Sequence, residues 1–389
     1  MSGQQRFRDA MFSYAPTPLR VLVRGEGARV WDDQGTEYLD FLAGIAVNAL
    51  GHAHPVFVEA VSRQAGRIAH VSNYFASEPQ LELAERLKRL TGGDAVFFGN
   101  SGTEVIEAAI KVSRRTGRTR ILTLEKSFHG RSTGALAITG KDSYRTPFEP
   151  LIPGPEFLPS TVEALENAIG PDVAALVLEP IKGEAGALDL PEGYLAAARA
   201  LTAKHGALLI LDEIQTGAGR TGDWFAFQRD GIVPDLLALA KGIGGGFPIG
   251  ALVAFGPVKD LLQPGDHGTT FGGNPLATAT ANAVLGEIER ADLVGNARAM
   301  GELIRAGLAA LDHPAITDVS GRGLLVGIGL DGPHAGAVAT RALELGLIVN
   351  AAAEDRIRLA PPLTITAADV DRFFDLFPQA LAATESSDS

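Results

Sequence analysis

The sequence of 389 residues contains no cysteine. Disulfides, thiolate metal ligands and a cysteine nucleophile are therefore excluded. The eight histidines show none of the paired spacings of a zinc-binding helix, so the sequence predicts no metal site. We interpret His52 and His54, in the segment GHAHP, as turn or core residues rather than as ligands.

Long apolar runs are also missing. No stretch approaches the ~18 consecutive apolar residues that cross a bilayer. The N-terminal MSGQQRFRDA lacks the apolar core of a secretory signal, which predicts a cytoplasmic protein. Basic residues number 34 against 46 acidic ones, and the formal charge is −12. Such a balance opposes nonspecific attraction to nucleic acid.

The sequence does contain a regular alternation of apolar runs and helical stretches. AVFFGN, RILTLE, AALVLEP, ALLILDE and LLALAKG read as strands, with predicted helices over 103–115 and 192–205. This alternation predicts an α/β fold with a mainly parallel sheet covered on both faces. Near residue 285 the pattern changes. A helix over about 291–311 then precedes GLLVGIGL and IRLAPPL, which predicts a smaller C-terminal α/β domain.

These changes divide the chain into three parts. Residues 71–285 are expected to form the large domain and residues 286–389 the small domain. Residues 1–70, with short strands around a turn at 32–35, are expected to pack with the small domain. No Pro/Gly-rich linker separates the parts, so we expect an intimate boundary. The C-terminal ESSDS is expected to fray.

Polar residues and glycines follow the ends of the predicted strands. Ligands bind beyond the carboxyl ends of strands in open parallel sheets, so these ends are expected to build one site. The residues at those ends are Asn100, Ser101, Gly102, Thr103, Glu179, Asp212, Glu213, Gln215, Lys241 and Gly242.

Two of these ends can hold parts of a charged cofactor. The turn Ser101-Gly102-Thr103 opens a predicted helix, where free N–H groups and the helix dipole suit a phosphate. An ordinary helix cap uses the same residue types. Asp212 follows an apolar run and needs a partner if it is buried. That partner is either an arginine or helix N-terminus, or the protonated nitrogen of a pyridine ring.

Lys241 ends an apolar run and precedes a glycine-rich segment. Desolvation there would lower the pKa of a lysine and expose a nucleophilic amine. A solvated lysine at a strand end is the alternative. Asp212, one strand earlier, favours the first interpretation, in which Lys241 carries pyridoxal phosphate as a Schiff base.

Three segments together resemble one family. LILDEIQTGAGRTG, PDLLALAKGIGGGFPIG and TTFGGNP resemble the class III (ω-amino acid) aminotransferases of fold type I, and the resemblance runs from VWDDQGTEYLDFLAGIAVNALGH to IRLAPPL. Within the class, GIAVNALGH, NSGTE, FHGR, LEPIKGE and VNAAAEDRIRLAPPL resemble the bacterial members that act on acetylornithine in arginine biosynthesis. The resemblance implies a fold type I transferase that uses pyridoxal 5′-phosphate and forms a homodimer with shared active sites.

The resemblance also implies roles for individual residues. Lys241 and Asp212 would be catalytic, with Lys241 moving the proton and Asp212 keeping the ring nitrogen protonated. Phe128 would stack on the ring, although alone it reads as a core aromatic. Thr270 would reach the phosphate bound by the neighbouring subunit. The implied cofactor-binding residues are Gly102, Thr103 (backbone and hydroxyl), Phe128, Asp212, Gln215, Lys241 and Thr270.

The implied reaction moves the δ-amino group of N2-acetyl-L-ornithine to 2-oxoglutarate in two half-reactions. Arg131 would bind the outer carboxylate of either substrate. Thr269, beside Thr270, would contact substrate from the neighbouring subunit's side. Glu184 would pair with Arg358 while the donor is bound and release it for the second carboxylate of 2-oxoglutarate. Without the family, Glu184 and Arg358 read equally well as a structural ion pair.

Two segments depart from close relatives. The family usually has NSGTEANEAA, whereas Val105 and Ile106 stand here in NSGTEVIEAA; the phosphate donors should survive, but packing there is in question. Ornithine aminotransferases carry a tyrosine where Ile45 aligns, and isoleucine suits an acylated amine better than a free amino-acid head.

Other activities remain open at this stage. Succinylornithine, succinyldiaminopimelate, 4-aminobutyrate or a carrier-bound lysine can replace acetylornithine as donor. A glutamate-semialdehyde-type aminomutase shares the fold and needs no 2-oxoglutarate. An NAD-dependent oxidoreductase is rejected, because GIGGGF follows a late strand rather than the first strand of a βαβ unit. A non-catalytic protein on this scaffold conflicts with the intact set of Lys241, Asp212 and Arg358.

Overall fold

Helices and strands alternate along most of the chain in a computed structural model that describes residues 2–14 and 16–383. The predicted fraying of ESSDS lies outside these described residues. The α-helices are α1 Gly3–Ala10, α2 Ala43–Ala46, α3 Pro55–Ala65, α4 Glu78–Thr91, α5 Gly102–Arg114, α6 Thr133–Ala137, α7 Asp142–Arg145, α8 Val162–Ala168, α9 Tyr194–His205, α10 Ala226–Arg229, α11 Pro275–Arg290, α12 Leu293–Leu311, α13 Ala335–Glu344 and α14 Ala367–Leu381.

The strands supply the sheets on which these helices pack. They are β1 Leu22–Glu26, β2 Arg29–Asp32, β3 Glu37–Asp40, β4 Ala95–Gly99, β5 Arg120–Leu124, β6 Pro155–Leu158, β7 Val173–Leu178, β8 Ile181–Lys182, β9 Leu188–Asp189, β10 Leu208–Asp212, β11 Leu236–Leu239, β12 Gly250–Ala254, β13 Ile316–Arg322, β14 Leu325–Leu330, β15 Leu347–Ile348, β16 Asn350–Ala353 and β17 Arg356–Leu359.

The central sheet has the strand order β4-β12-β11-β10-β7-β5-β6. Strand β12 runs antiparallel to both of its neighbours, and the other pairings are parallel. Every residue of β7, β10 and β11 is buried, as expected for apolar strands covered on both faces. The predicted mainly parallel sheet is confirmed.

The described residues also form two four-stranded sheets and a two-stranded sheet, β8-β9. Strands β13-β14-β17-β16 form one four-stranded sheet, and β1-β2-β3-β15 form the other. Strand β3 pairs in parallel with β15, so an early and a late part of the chain share a sheet. The boundary expected between residues 285 and 286 falls inside α11, a helix that the sequence interpretation did not foresee. The three-part division of the chain stays a prediction.

Caps at their first residues define several of these helices. Ser101 accepts a hydrogen bond from the N–H of Glu104 and starts α5, one residue earlier than predicted. Asn274 caps α11, with Pro275 at its first position. His54 caps α3, and His52 lies 2.8 Å from the carboxylate of Asp40.

None of the helices formed by the described residues combines the length and the apolar character that a membrane span requires.

Close packing between α12 and the β13–β14 turn gives a stability prediction. A methyl group on Gly301 would overlap the carbonyl group of Gly323, whereas one on Gly286 would come no closer than 3.7 Å to Arg86. We expect Gly301→Ala to lower the free energy of unfolding by about 1–3 kcal/mol through overpacking. Gly286→Ala, the matched control in α11, should raise it by up to about 1 kcal/mol through helix propensity. Urea denaturation measures both, and equal effects would contradict the packing argument.

Candidate active site

A chamber of about 440 Å³ opens at the carboxyl ends of β4, β7, β10 and β11. Ligand sites in open α/β sheets occupy this position and have this size. Most of the residues singled out from the sequence line it together. They are Asn100, Ser101, Gly102, Thr103, Phe128, Arg131, Glu179, Glu184, Asp212, Gln215 and Lys241.

Lys241 lies in the 3-10 turn that follows β11, with its backbone in the left-handed region at φ +45°. A non-glycine residue held there carries backbone strain, which is common at functional sites. Burial lowers the pKa of the Lys241 ammonium below its ordinary value, and the carboxylate of Glu184 opposes part of that shift. The turn therefore presents an amine that loses its proton more readily than a solvated lysine does.

Asp212 ends β10 and is 3% exposed. Its Oδ2 lies 2.7 Å from Nδ1 of the buried His129, and its Oδ1 accepts a hydrogen bond from the N–H of Ile214. The other ring nitrogen of His129 lies 3.1 Å from Oγ1 of Thr123. The sequence interpretation did not assign a role to His129, which orients this carboxylate.

The N-terminus of α5 faces the chamber with Gly102 and Thr103. As the first residues of a helix, they have N–H groups without intrahelical partners. The hydroxyl of Ser101 accepts a hydrogen bond from the N–H of Glu104. The N–H groups of Gly102 and Thr103 therefore stay available to a ligand. The positive end of the helix dipole adds to their attraction for a phosphate.

The hydroxyl of Thr103 takes part in a chain of hydrogen bonds. Ser132 donates its hydroxyl hydrogen to Glu107 at 2.5 Å, because a carboxylate only accepts. The 2.6 Å contact between the hydroxyls of Thr103 and Ser132 is then donated by Thr103. Glu107 also accepts from the N–H groups of Gly134 and Ala135. In this arrangement, amides rather than the Thr103 hydroxyl are the donors free for an anion.

Glu179 follows β7 and joins two loops of the chamber. One carboxylate oxygen accepts from the N–H of Phe128 at 3.0 Å, and the other accepts from the N–H of Gly183 at 3.1 Å. Burial raises the pKa of Glu179 to about 7. A Cβ on Gly183 would displace the side-chain amide of Gln215. Glu179 thus fixes the loop that leads to Glu184.

Arg358, on β17, is 1% exposed and lies behind Glu184. Its Nη1 donates to Oε1 of Glu184 at 2.6 Å, and its Nη2 donates to Oδ1 of Asn350 at 2.8 Å. The buried Nε of Arg358 has no hydrogen-bond partner among the described residues. Burial alone would raise the pKa of Glu184, but the charge and hydrogen bond of Arg358 outweigh it and hold that pKa below its ordinary value.

Thr269 and Thr270 do not line this chamber. They lie in the exposed loop before α11 and border a neighbouring cavity that also includes Asn100 and Glu107. Asn100 belongs to both cavities and contacts Oγ1 of Thr269 at 3.4 Å. Their expected roles in a neighbouring subunit's site therefore stay predictions.

The departures noted in the sequence have distinct environments. Val105 and Ile106 are fully buried in an apolar cluster between α5 and the central sheet, so they pack as core residues. Ile45 is 36% exposed and has φ +66°, a strained conformation for a β-branched residue. The sequence interpretation did not foresee that strain.

The residues present fit pyridoxal phosphate. Unspent amides of Gly102 and Thr103 suit the phosphate, and the buried carboxylate of Asp212 suits a protonated ring nitrogen. Phe128 offers an aromatic face, and Lys241 offers an amine with a lowered pKa. Arg358 does not itself line the chamber, but it is hydrogen-bonded to Glu184, which does.

Comparisons with known proteins agree with this site. The family described as aminotransferase class-III matches residues 12–381. The acetylornithine aminotransferase of Mycolicibacterium smegmatis is 51% identical and covers 100% of both chains. That of Streptomyces coelicolor is 50% identical over 97% of this chain and 94% of its own.

Solved structures give the same result. The ornithine aminotransferase of Toxoplasma gondii superposes with a TM-score of 0.94 at 33% identity, covering 98% of this chain and 94% of its own. The N-acetylornithine aminotransferase of Stenotrophomonas maltophilia gives 0.84 at 38% identity, covering 96% and 98%. This chain therefore belongs to the class-III aminotransferases, which are pyridoxal-phosphate-dependent enzymes.

Proposed function

We propose that this enzyme transfers the δ-amino group of N2-acetyl-L-ornithine to 2-oxoglutarate, giving N-acetyl-L-glutamate 5-semialdehyde and L-glutamate in arginine biosynthesis. The observation that carries the proposal is the 2.6 Å pairing of Arg358 with Glu184, which lines the chamber that contains Lys241. Two sequence relatives and one structural relative that bear the acetylornithine name support the choice of donor.

The proton transfer falls to Lys241. Bound pyridoxal phosphate supplies an electron sink for the charge left when a proton leaves the reacting carbon. Lys241 Nζ takes that proton from the δ-carbon of the donor, and its lowered pKa keeps the amine available as a base. Asp212 holds negative charge at the ring-nitrogen end, where His129 keeps its carboxylate in place.

Glu184 and Arg358 let one chamber accept two different substrates. While they are paired, the inner part of the chamber presents no net charge to the uncharged methylene chain of acetylornithine. For 2-oxoglutarate, Glu184 moves away and Arg358 offers its fork, including the free Nε, to the carboxylate beside the reacting carbonyl. Arg131 binds the outer carboxylate in both half-reactions. Gln215 contacts the cofactor near its phenolic oxygen, and Thr269 contacts substrate from the neighbouring subunit's side.

A donor panel tests the proposal. Purified enzyme is given acetylornithine, ornithine, succinylornithine, succinyldiaminopimelate or 4-aminobutyrate with 2-oxoglutarate, and glutamate is measured. We expect the largest kcat/KM with acetylornithine, and absence of turnover with it would overturn the proposal. Acetylornithine without acceptor should also convert the cofactor absorbance to the pyridoxamine form. Turnover that needs no 2-oxoglutarate would instead identify an aminomutase.

Replacing Glu184 should unbalance the two half-reactions. We expect Glu184→Gln to lower kcat/KM for acetylornithine by about 5- to 20-fold, because a charged hydrogen bond to Arg358 is lost. The KM for 2-oxoglutarate should fall or stay unchanged, because Arg358 is released. Steady-state kinetics with each substrate varied measures the split. Glu166, an exposed residue of α8, supplies the matched control Glu166→Gln. Equal losses of kcat/KM for both substrates in Glu184→Gln would contradict the exchange.

We further propose a homodimer in which Thr270 serves the partner's phosphate. The supporting observation is a group of exposed apolar side chains beside the Thr270 loop, with Tyr74 87%, Phe75 68% and Phe271 61% exposed. His70 packs against Phe271 at 5.4 Å between ring centroids. Exposed apolar patches of this kind mark protein interfaces. A cytoplasmic location stays a prediction.

Mixed subunits test the sharing of sites. Lys241→Ala and Thr270→Ala chains are each expected to be impaired as homodimers. After mixing under exchange conditions, a heterodimer would contain one site with Lys241 and a partner's Thr270, and activity should rise toward one quarter of wild type. Light scattering establishes the assembly. Activity that merely averages the two variants would contradict sharing.

A further inference from the structure

Arg131 lines the chamber but remains exposed. Its guanidinium carbon lies 3.6 Å from the centroid of the Tyr144 ring and 5.5 Å from that of Phe128. Across the described part of the chain, no hydrogen bond or ion pair engages Arg131. Aromatic rings therefore hold this guanidinium, while its N–H donors make no hydrogen bonds within the described residues.

Holding an arginine by its face leaves its recognition chemistry intact. The guanidinium is planar, and its N–H groups point outward in that plane, so contact with a ring face does not use them. The attraction between the cation and the ring quadrupole restricts the flexible side chain before a ligand arrives. Restricting a group in its binding conformation reduces the ordering cost of the complex.

Tyr144 is itself fixed in position. It belongs to the short helix α7, and its ring stands edge-on to Phe128 with centroids 6.3 Å apart. Arg145, the next residue, donates from Nη1 to the carbonyl of Thr139 at 2.6 Å and ties α7 to the end of α6. Because the Tyr144 ring is fixed in this way, it can define where the guanidinium of Arg131 lies.

A second cation shares the same ring. Nζ of Lys141 lies 4.5 Å from the centroid of Tyr144 and donates to its hydroxyl at 3.3 Å. Lys141 and Arg131 thus place two positive charges around the Tyr144 ring, and Arg131 lines the chamber. That arrangement suits a carboxylate arriving from solvent.

We propose that Tyr144 is a positioning residue for carboxylate recognition, because its ring face holds the guanidinium of Arg131 ready for the outer carboxylate of each substrate. The inference rests on the proposed role of Arg131. The face of the ring, rather than the hydroxyl, performs this function, since Arg131 lies over the face, whereas Lys141 both approaches the ring and donates to the hydroxyl.

Three substitutions separate the face from the hydroxyl and from general effects. Tyr144→Leu removes the face, and KM for both acetylornithine and 2-oxoglutarate should rise about 10-fold, with kcat changed less than about twofold. Tyr144→Phe keeps the face and should restore wild-type KM. Phe148→Leu removes a 62% exposed aromatic ring from the following turn and should change neither constant. Glutarate, a dicarboxylate that cannot react, should lose affinity for Tyr144→Leu by the same factor.

The outcomes are distinguishable from failure of the proposed function. Arg131→Leu is measured alongside, and an unchanged KM in that variant would remove the premise. If Arg131→Leu raises KM but Tyr144→Leu does not, the positioning role is overturned while the function stands. If Tyr144→Phe behaves like Tyr144→Leu, the hydroxyl and Lys141 carry the effect, and the proposal is also overturned. A loss of kcat with unchanged KM would contradict it as well.

Discussion

Replacing Lys241 with alanine is expected to lower kcat/KM by at least about 10⁴-fold, because one substitution removes both the covalent nucleophile and the base. No other lysine lines the described chamber to replace it. Initial rates of glutamate formation from acetylornithine and 2-oxoglutarate measure the loss. Circular dichroism and light scattering show whether fold and assembly are retained.

Lys204→Ala is the matched control for this experiment. Lys204 lies in the last turn of α9, is exposed and does not line the chamber. Its loss should leave kcat/KM within about twofold, as surface substitutions away from special features usually do. A Lys241→Ala enzyme that kept a tenth of wild-type activity would refute the assignment of Lys241.

The second large effect is expected from Asp212→Asn. The amide matches the carboxylate in size but carries no charge, so it no longer holds a proton on the ring nitrogen. We expect kcat to fall about 100- to 1,000-fold, the size seen when one preorganised electrostatic contact is removed. Single-turnover conversion of the cofactor by acetylornithine measures the affected half-reaction directly. The factor by which kcat falls should exceed the factor by which cofactor affinity falls.

Asp235→Asn separates this effect from the removal of a structural carboxylate. Asp235 precedes the neighbouring strand, β11, and accepts from Arg199 at 2.8 Å and from the N–H of Leu209 at 2.7 Å. We expect Asp235→Asn to reduce stability but not the kcat of folded enzyme. Equal losses of kcat in the two variants would show that Asp212 is merely structural.

The architecture was largely readable from the sequence, because buried parallel strands are continuous apolar runs. Strands β4, β5, β7, β10 and β11 lie where those runs predicted them. Strand β12 was missed, since GALVA is antiparallel and follows the glycine-rich segment after Lys241 without a helix of the alternating pattern between them. Helix α11 was missed because PLATATANAVLGEIER has small and hydroxyl-bearing residues in place of a clear apolar stripe. Its Asn274-Pro275 start was the signal that could have revealed it.

The site was predictable where a single segment supplies the chemistry. Lys241, Asp212 and the α5 turn each follow an apolar run, and the structure places all three in one chamber. The contact between His129 and Asp212 joins positions 83 residues apart. A single sequence contains no measure of that distance. The expected burial of Asp212 nevertheless required a polar partner. His129, in the segment FHGR, was one candidate for that partner.

Contacts that depend on tertiary packing stayed hidden for the same reason. The sequence shows that Glu184 and Arg358 can pair, but not that Arg358 keeps one nitrogen unbonded. It also does not show that Tyr144 meets Arg131, because α7 is a short helix without apolar periodicity. Side-chain partners across loops are set by how the loops lie on the sheet.

Hydrogen bonds run from the hydroxyl of Thr103 through the hydroxyl of Ser132 to the carboxylate of Glu107. Thr103 belongs to the turn for which we propose phosphate binding, whereas Ser132 directly follows Arg131, for which we propose carboxylate binding. The α5 turn and the segment that carries Arg131 are therefore joined by side-chain hydrogen bonds, and the carboxylate of Glu107 anchors both.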